Sequence, residues 1–381
     1  MDVIVDDCCT NEFETMLQYN NIEYSSINLG PTFGDIQRNE LPGDKFAKRD
    51  KFPDYTNLMD QIDNIASDTS KIKKRVISRT FDKIELFVLE MVTNPKNPGV
   101  FIISGEQGGD WLSPSVLMNF INKILKHDSD LAELNRYYNF YFAPLANPDG
   151  YIYSWAKDVF WVKNRNAFFP QTKCRDDSEY AIGVDIDRNW FFGENNDDNI
   201  CYSLYIGPSS LSEKETKAFS EYVNSIADKL MAFINLRGSG QRIITIPYGH
   251  TLDYSSNHNV MMSILRSANH RVQSEHRVKY LYERTSKYFY NFSGNSCDWV
   301  KKKLNVPIVY MMHLQNVEEI LMSPKDIEPL TREFTTIIKE TLVIARNIYG
   351  PLFNSKNMLF VSIKTKCILV LNFLFLLSIN I

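Results

Sequence analysis

The sequence predicts an α/β protein, an alternation of strands and helices folded as three α/β/α layers around a mixed, mainly parallel central sheet. Three observations predict it. Short, largely apolar runs recur at 84–91, 99–104, 138–144, 230–236 and 307–312, the pattern of strands covered on both faces. Helical periodicity falls between them, at 56–65, 114–125, 213–226 and 260–273, and strands separated by helices favour parallel pairing. The 24 Phe and 20 Tyr among 381 residues supply ample surface to bury, which argues against disorder.

Taken in order, residues 1–30 read as strand (1–5), amphipathic helix (11–19) and strand (22–29), a small α+β unit of their own. Residues 34–52 are polar, contain Pro42-Gly43, and carry Lys45, Lys48, Arg49 and Lys51. That is the chemistry of an exposed linker open to trypsin-like cleavage. The alternating pattern starts at Asp54 and closes with a helix at 329–348, for which Gly350-Pro351 is the expected stop. The run 367–381 is apolar but broken by Asn372, Ser378 and Asn380, and it is short of the about 20 residues a membrane helix needs. The expected organisation is therefore a partial leading segment (1–33), a basic linker (34–53), one large domain (54–350) and an apolar tail (351–381).

The net charge of −4 gives no electrostatic footprint for nucleic acid. Six cysteines without a C-x-x-C spacing fit neither a metal cluster nor a small disulfide scaffold. Cys174 and Cys201 bracket a motif-rich stretch and read as one disulfide, which by loop entropy contributes about 3.5 kcal/mol and implies an oxidising compartment. The N-terminus lacks the basic start and apolar core of a signal peptide.

Four segments stand in a specific order. Ser104-Gly105-Glu106-Gln107-Gly108-Gly109-Asp110-Trp111 follows an apolar run. Asn147-Pro148-Asp149-Gly150-Tyr151 and Trp161-Val162-Lys163-Asn164-Arg165 come next, then Gly183-Val184-Asp185-Ile186-Asp187-Arg188-Asn189-Trp190, and last Tyr290 through Trp299 with Cys297 inside it. Together these resemble the metallocarboxypeptidases of the pancreatic and insect-gut type, peptidase family M14, from about residue 54 to 350. The resemblance implies a secreted zinc peptidase made as a zymogen, with residues 1–33 as part of the activation segment.

It also implies where the chemistry would sit. The family's zinc ligands align on Gln107, Asp110 and Arg237, its catalytic glutamate on His313, and its oxyanion arginine on Val162. Its carboxylate-anchoring pair aligns on Asp187 and Arg188, its mobile tyrosine on Tyr290, a further arginine on Gly109, and its specificity position on Cys297. A catalytic zinc needs three good protein ligands. A guanidinium stays charged at any relevant pH, and one about 4 Å from a dication is repelled by about 8 kcal/mol at an effective dielectric of 20. No bound metal and no other cofactor are expected, and His313 is expected to be inactive as a base because its task depended on a metal-polarised water.

These substitutions predict a catalytically inactive pseudo-carboxypeptidase, extracellular and monomeric, whose remaining Arg188 and Tyr290 suit peptide or protein C-termini rather than nucleic acid. Asp187 would repel such a carboxylate or pair with Arg188, and Asp110 is expected to pair with Arg237 where the metal stood. The rival reading is an active zinc carboxypeptidase in which Glu106, Asp110 and His313 recruit the metal after local register shifts. A third is a non-functional product. The remaining histidines, His250 among them, read as surface or helix residues, and the charges of 213–217 as a solvated helix face.

Overall fold

The computed structural model describes residues 52–353 except 69, 127–130, 132, 168–181, 192–198, 239–241, 290–292 and 315–323. The expected leading segment, most of the linker and the apolar tail lie outside the described residues, as do Cys174 and Tyr290.

An eight-stranded mixed sheet forms the centre. Its strands are β1 (Lys73–Arg79), β2 (Glu85–Met91), β3 (Gly99–Ser104), β4 (Asn139–Ala143), β5 (Leu230–Arg237), β6 (Ile243–Ile246), β7 (Leu281–Arg284) and β8 (Ile308–His313), in spatial order β1-β2-β4-β3-β5-β8-β6-β7. The middle strands β4, β3, β5 and β8 run parallel to one another; the pairs β1–β2, β2–β4 and β8–β6 are antiparallel, and β6–β7 is parallel. The long helices are α1 (Tyr55–Asp68), α2 (Leu112–Leu125), α3 (Pro148–Ala156), α4 (Lys214–Ser225), α5 (His258–His276) and α6 (Ile327–Phe353).

Side-chain alternation along the strands explains the layers. Val100 and Ile102 of β3 join Ile234 of β5 and Tyr310 of β8 in a cluster with Val116 and Phe120 of α2, Leu265 of α5 and Phe334 of α6. Phe101 and Ile103 point the other way, with Phe233, Val309 and Met311, onto Phe219 and Val223 of α4 and onto Trp190 and Trp299. Every residue of β3, β4 and β8 is buried, as two covered faces require.

Three strands escaped the sequence pattern. β1 reads KKRVISR and is a half-exposed edge, its charges held by Lys74–Asp63 and Arg79–Glu85 contacts, both at 2.7 Å. Charged side chains on an edge discourage pairing with another chain, and they also hide the strand's period. β6 and β7 are four residues each. The closing helix also differs from expectation: α6 continues through Gly350-Pro351 to Phe353.

Candidate functional site

The carboxyl ends of β3, β5 and β8 lie side by side, where parallel sheets commonly place a ligand crevice. Ser104 pairs in register with Leu236, and Arg237 with His313. Just past β3, Gly105 takes φ +64°, a conformation that favours glycine, and the chain turns to deliver Glu106 and Gln107. Asn147 fixes that turn: its Nδ2 donates to the carbonyls of Glu106 and Lys163, both at 3.1 Å. Its Oδ1 accepts from Gly150 N at 2.9 Å, capping α3. The Asn-Pro-Asp-Gly motif is thus a brace that joins two loops of the site.

Arg237 ends β5 with its side chain only 12% exposed, in an ion pair with the fully buried carboxylate of Asp187. Burial acts to lower its pKa, and Glu106 and Asp185 act to raise it. Arg188 turns its Nε to Asp185 Oδ2 at 3.5 Å and stays 24% exposed. Two pairings therefore differ from those expected: Asp187 pairs with Arg237 rather than with Arg188, and Arg237 pairs with Asp187 rather than with Asp110.

Asp110 serves the backbone instead. Its Oδ1 accepts from Ser113 N at 3.0 Å, and its Oδ2 accepts from Ser113 Oγ at 2.6 Å and Gly238 N at 3.0 Å. The carboxylate thus holds the first turn of α2 to the end of β5. The approach is close enough that a Cβ on Gly238 would fall 2.3 Å from Asp110 Oδ1. Gln107 is half-buried at the start of this loop, and its carbonyl accepts from Asp110 N at 3.1 Å.

Glu106 is the buried acid that faces Arg237. Its Oε1 accepts from Trp190 Nε1 at 2.8 Å and its Oε2 from Asn235 Nδ2 at 2.6 Å. Burial pushes its pKa up, against the attraction of Arg237, and burial does the same to Asp185 against Arg188, Arg237 and Lys163. Lys163, whose Nζ donates to the Ile200 carbonyl at 2.7 Å, is lowered to about 8 by burial. Arg237, Arg188 and Lys163 thus lie among the acids Glu106, Asp110, Asp185 and Asp187.

His313 is buried at the end of β8 with its ring 5.2 Å from that of Phe289. Cys297 is buried, and its thiol donates to the Tyr310 carbonyl at 3.4 Å; burial raises its pKa well above the ordinary thiol value, which disfavours the thiolate. Val162 is half-buried beside the site loop, its carbonyl accepting from Gly108 N at 3.0 Å. Among the described residues, no three His, Cys, Asp or Glu side chains are grouped to hold a metal. Glu106, Asp110 and His313, the set required by the rival reading, are not such a group, and both acids already spend their oxygens on protein donors.

Matches with known proteins accord with this architecture. The family model for zinc carboxypeptidase (Peptidase_M14) matches residues 58–336. The chain belongs to the M14 zinc carboxypeptidase family. It is 30% identical to rat mast cell carboxypeptidase A over 257 residues, which is 65% of this chain and 60% of that protein. It is 28% identical to zinc carboxypeptidase A 1 of Anopheles gambiae over 346 residues, 87% of this chain and 77% of that one. Among solved structures, the carboxypeptidase A of Helicoverpa armigera superposes with a TM-score of 0.74 at 18% identity, over 89% of this chain and 86% of the other. Bovine thrombin-activatable fibrinolysis inhibitor, solved with tick carboxypeptidase inhibitor, superposes at 0.71 and 23% identity, over 78% and 98%. These likenesses carry the fold.

Two features of the family member were missed from sequence. Glu213 and Glu215 are buried, not a solvated face. Glu213 Oε2 accepts from Asn164 and Asn166 at 2.8 and 2.9 Å, and Glu215 Oε2 from Asn164 at 3.2 Å. They anchor the Trp-Val-Lys-Asn-Arg segment to α4. His250 is likewise no surface residue: its Nδ1 lies 2.6 Å from Asp298 Oδ2, which also accepts from the Gly249 and His250 amides. The signal for both was an unpaired amide or acid inside a motif, which demands a buried partner.

Proposed function

We propose that this family member is a pseudo-carboxypeptidase: the fold is retained, zinc is not held, and peptide hydrolysis is lost. One observation carries the reading. Arg237, at the position that the resemblance gives to the third zinc ligand, is a buried guanidinium in an ion pair with Asp187. A cation fixed by its own counter-ion neither donates to zinc nor tolerates it nearby. Asp110, the one remaining carboxylate of the ligand set, has both oxygens committed to Ser113 and Gly238. The donor set does not fit a zinc ion, and no catalytic step is derived through one.

Binding of peptide or protein C-termini is the function we assign to the cleft, with the part-exposed Arg188 as the carboxylate anchor. A guanidinium makes a two-pronged contact with a carboxylate, and this use needs no metal. Buried, neutral Cys297 at the specificity position favours apolar terminal side chains over Lys or Arg. The protein is proposed to be extracellular and monomeric, made as a zymogen-like precursor, and a Cys174–Cys201 disulfide belongs to the same proposal. The test is release of the terminal residue from a chromogenic C-terminal peptide: no turnover above buffer is expected, and chelator-sensitive turnover refutes the reading.

A further inference from the structure

We infer that Asp187 is a built-in carboxylate ligand: it occupies on Arg237 the place that the carboxylate of a peptide or small acid would take, and so sets how strongly the cleft binds such ligands.

The two residues reach the contact from separate parts of the chain. Arg237 closes a strand whose preceding residues are all buried, so its backbone cannot shift without disturbing β3 and β8. Asp187 lies in the short helical turn Ile186–Arg188, which Asp185 caps by accepting from Asp187 N at 3.2 Å. Both partners are held by backbone, and the carboxylate is fully buried against the guanidinium. The geometry of bound acid and receptor arginine is thus present inside one chain.

The neighbours agree. Arg188 is next in sequence, in an ion pair with Asp185 and still part exposed. Both guanidiniums act on Asp185; Asp187 takes up that of Arg237, while that of Arg188 pairs with Asp185 and stays part exposed. Glu106 faces Arg237 but is occupied by Trp190 and Asn235. With the Asp187 carboxylate removed, Arg237 keeps Glu106, Asp185 and Asp110 nearby but loses the carboxylate in contact with it, which leaves a carboxylate-sized space on its guanidinium. The ligand class is a monocarboxylate that enters beside Arg188, either a free small acid or a peptide terminus.

This inference rests on the proposed binding role only for the peptide arm of its test. In Asp187→Ala, formate is the probe for the vacated space. Sodium formate at tens of millimolar should raise the melting temperature of Asp187→Ala by several degrees more than sodium chloride at equal concentration, and more than it raises the wild type. Should the variant fold poorly, its refolding yield in formate against chloride reads the same effect. Calorimetry with N-acetyl-glycyl-phenylalanine should show binding at least about tenfold tighter to Asp187→Ala than to wild type, with no gain for the matching C-terminal amide. Asp187→Ala/Arg237→Gln should fold and show neither gain. The inference is overturned if formate acts no better than chloride, or if the double variant responds equally. Formate rescue without any peptide binding upholds the built-in carboxylate and refutes the peptide role, so the two failures are told apart.

Discussion

Replacing Arg237 by Gln removes the cation that contacts Asp187 and lies near Asp185 and Glu106. With Arg237 only 12% exposed, solvent does little to compensate, and breaking a buried pair by deleting one partner costs about 3–5 kcal/mol. At about 2 °C per kcal/mol for a chain of this size, a loss of 4 kcal/mol lowers the melting temperature by about 8 °C. The informative comparison is Arg237→Gln/Asp187→Asn, in which two neutral amides replace the pair. It should be more stable than Arg237→Gln alone by about 2 kcal/mol, a coupling in the range of contacting residues. Recovery stays incomplete because Glu106 and Asp185 still lack the attraction of Arg237. Urea unfolding of wild type, both singles and the double measures the cycle. Additive effects, or a cost for Arg237→Gln below about 1 kcal/mol, would refute the account of Arg237 as the neutralising centre of the site.

Three further outcomes are expected. Asp110→Glu, although it restores the family's longer acid, should destabilise by about 1–3 kcal/mol, because the longer arm cannot meet Ser113 and Gly238 without displacing β5; thermal unfolding checks it. Gly109→Arg should cost at least as much, since a Cβ there lies 2.4 Å from the Val159 carbonyl, and soluble yield with melting temperature reads it. Glu215 is raised to about 8, first by burial and then by Glu213 and Asp149. The folded state therefore holds a proton that the unfolded state has released, so the stability it contributes is complete below about pH 4.5 and lost as pH rises through about 8. Glu215→Gln should abolish about 3 kcal/mol of the fall in stability between pH 5 and 8, measured by urea unfolding at both values.

The central strands were legible because their residues are apolar on both faces: β3 was read at its observed bounds, and β2, β4, β5 and β8 within a residue or two. β1 was illegible because its exposed face carries Lys73, Arg75 and Arg79, whose partners Glu85 and Glu90 lie on the neighbouring strand. Gly350-Pro351 misled because tertiary packing of α6 against α2 and α5 outweighs the local stop signal. In the site, residue identities and order gave the family and the oddity of Arg237. They could not give its partner. Asp110 stands near Arg237 in the family's scheme, but its carboxylate is drawn to Ser113 N three residues on, a local bond that sequence reasoning undervalued. Asp187 then takes the guanidinium, and Glu213 and Glu215, charged in sequence, are claimed by the amides of Asn164 and Asn166.

The most direct test of the central claim is the metal content of the folded protein, purified from zinc-supplemented medium without chelator and measured by plasma mass spectrometry. A site closed by the Arg237–Asp187 pair should carry zinc at well under about 0.1 mole per mole, given that structural zinc binds with about 10–16 kcal/mol and would otherwise survive purification. Stoichiometric zinc, lost on treatment with chelator and absent from Asp110→Ala, would contradict it.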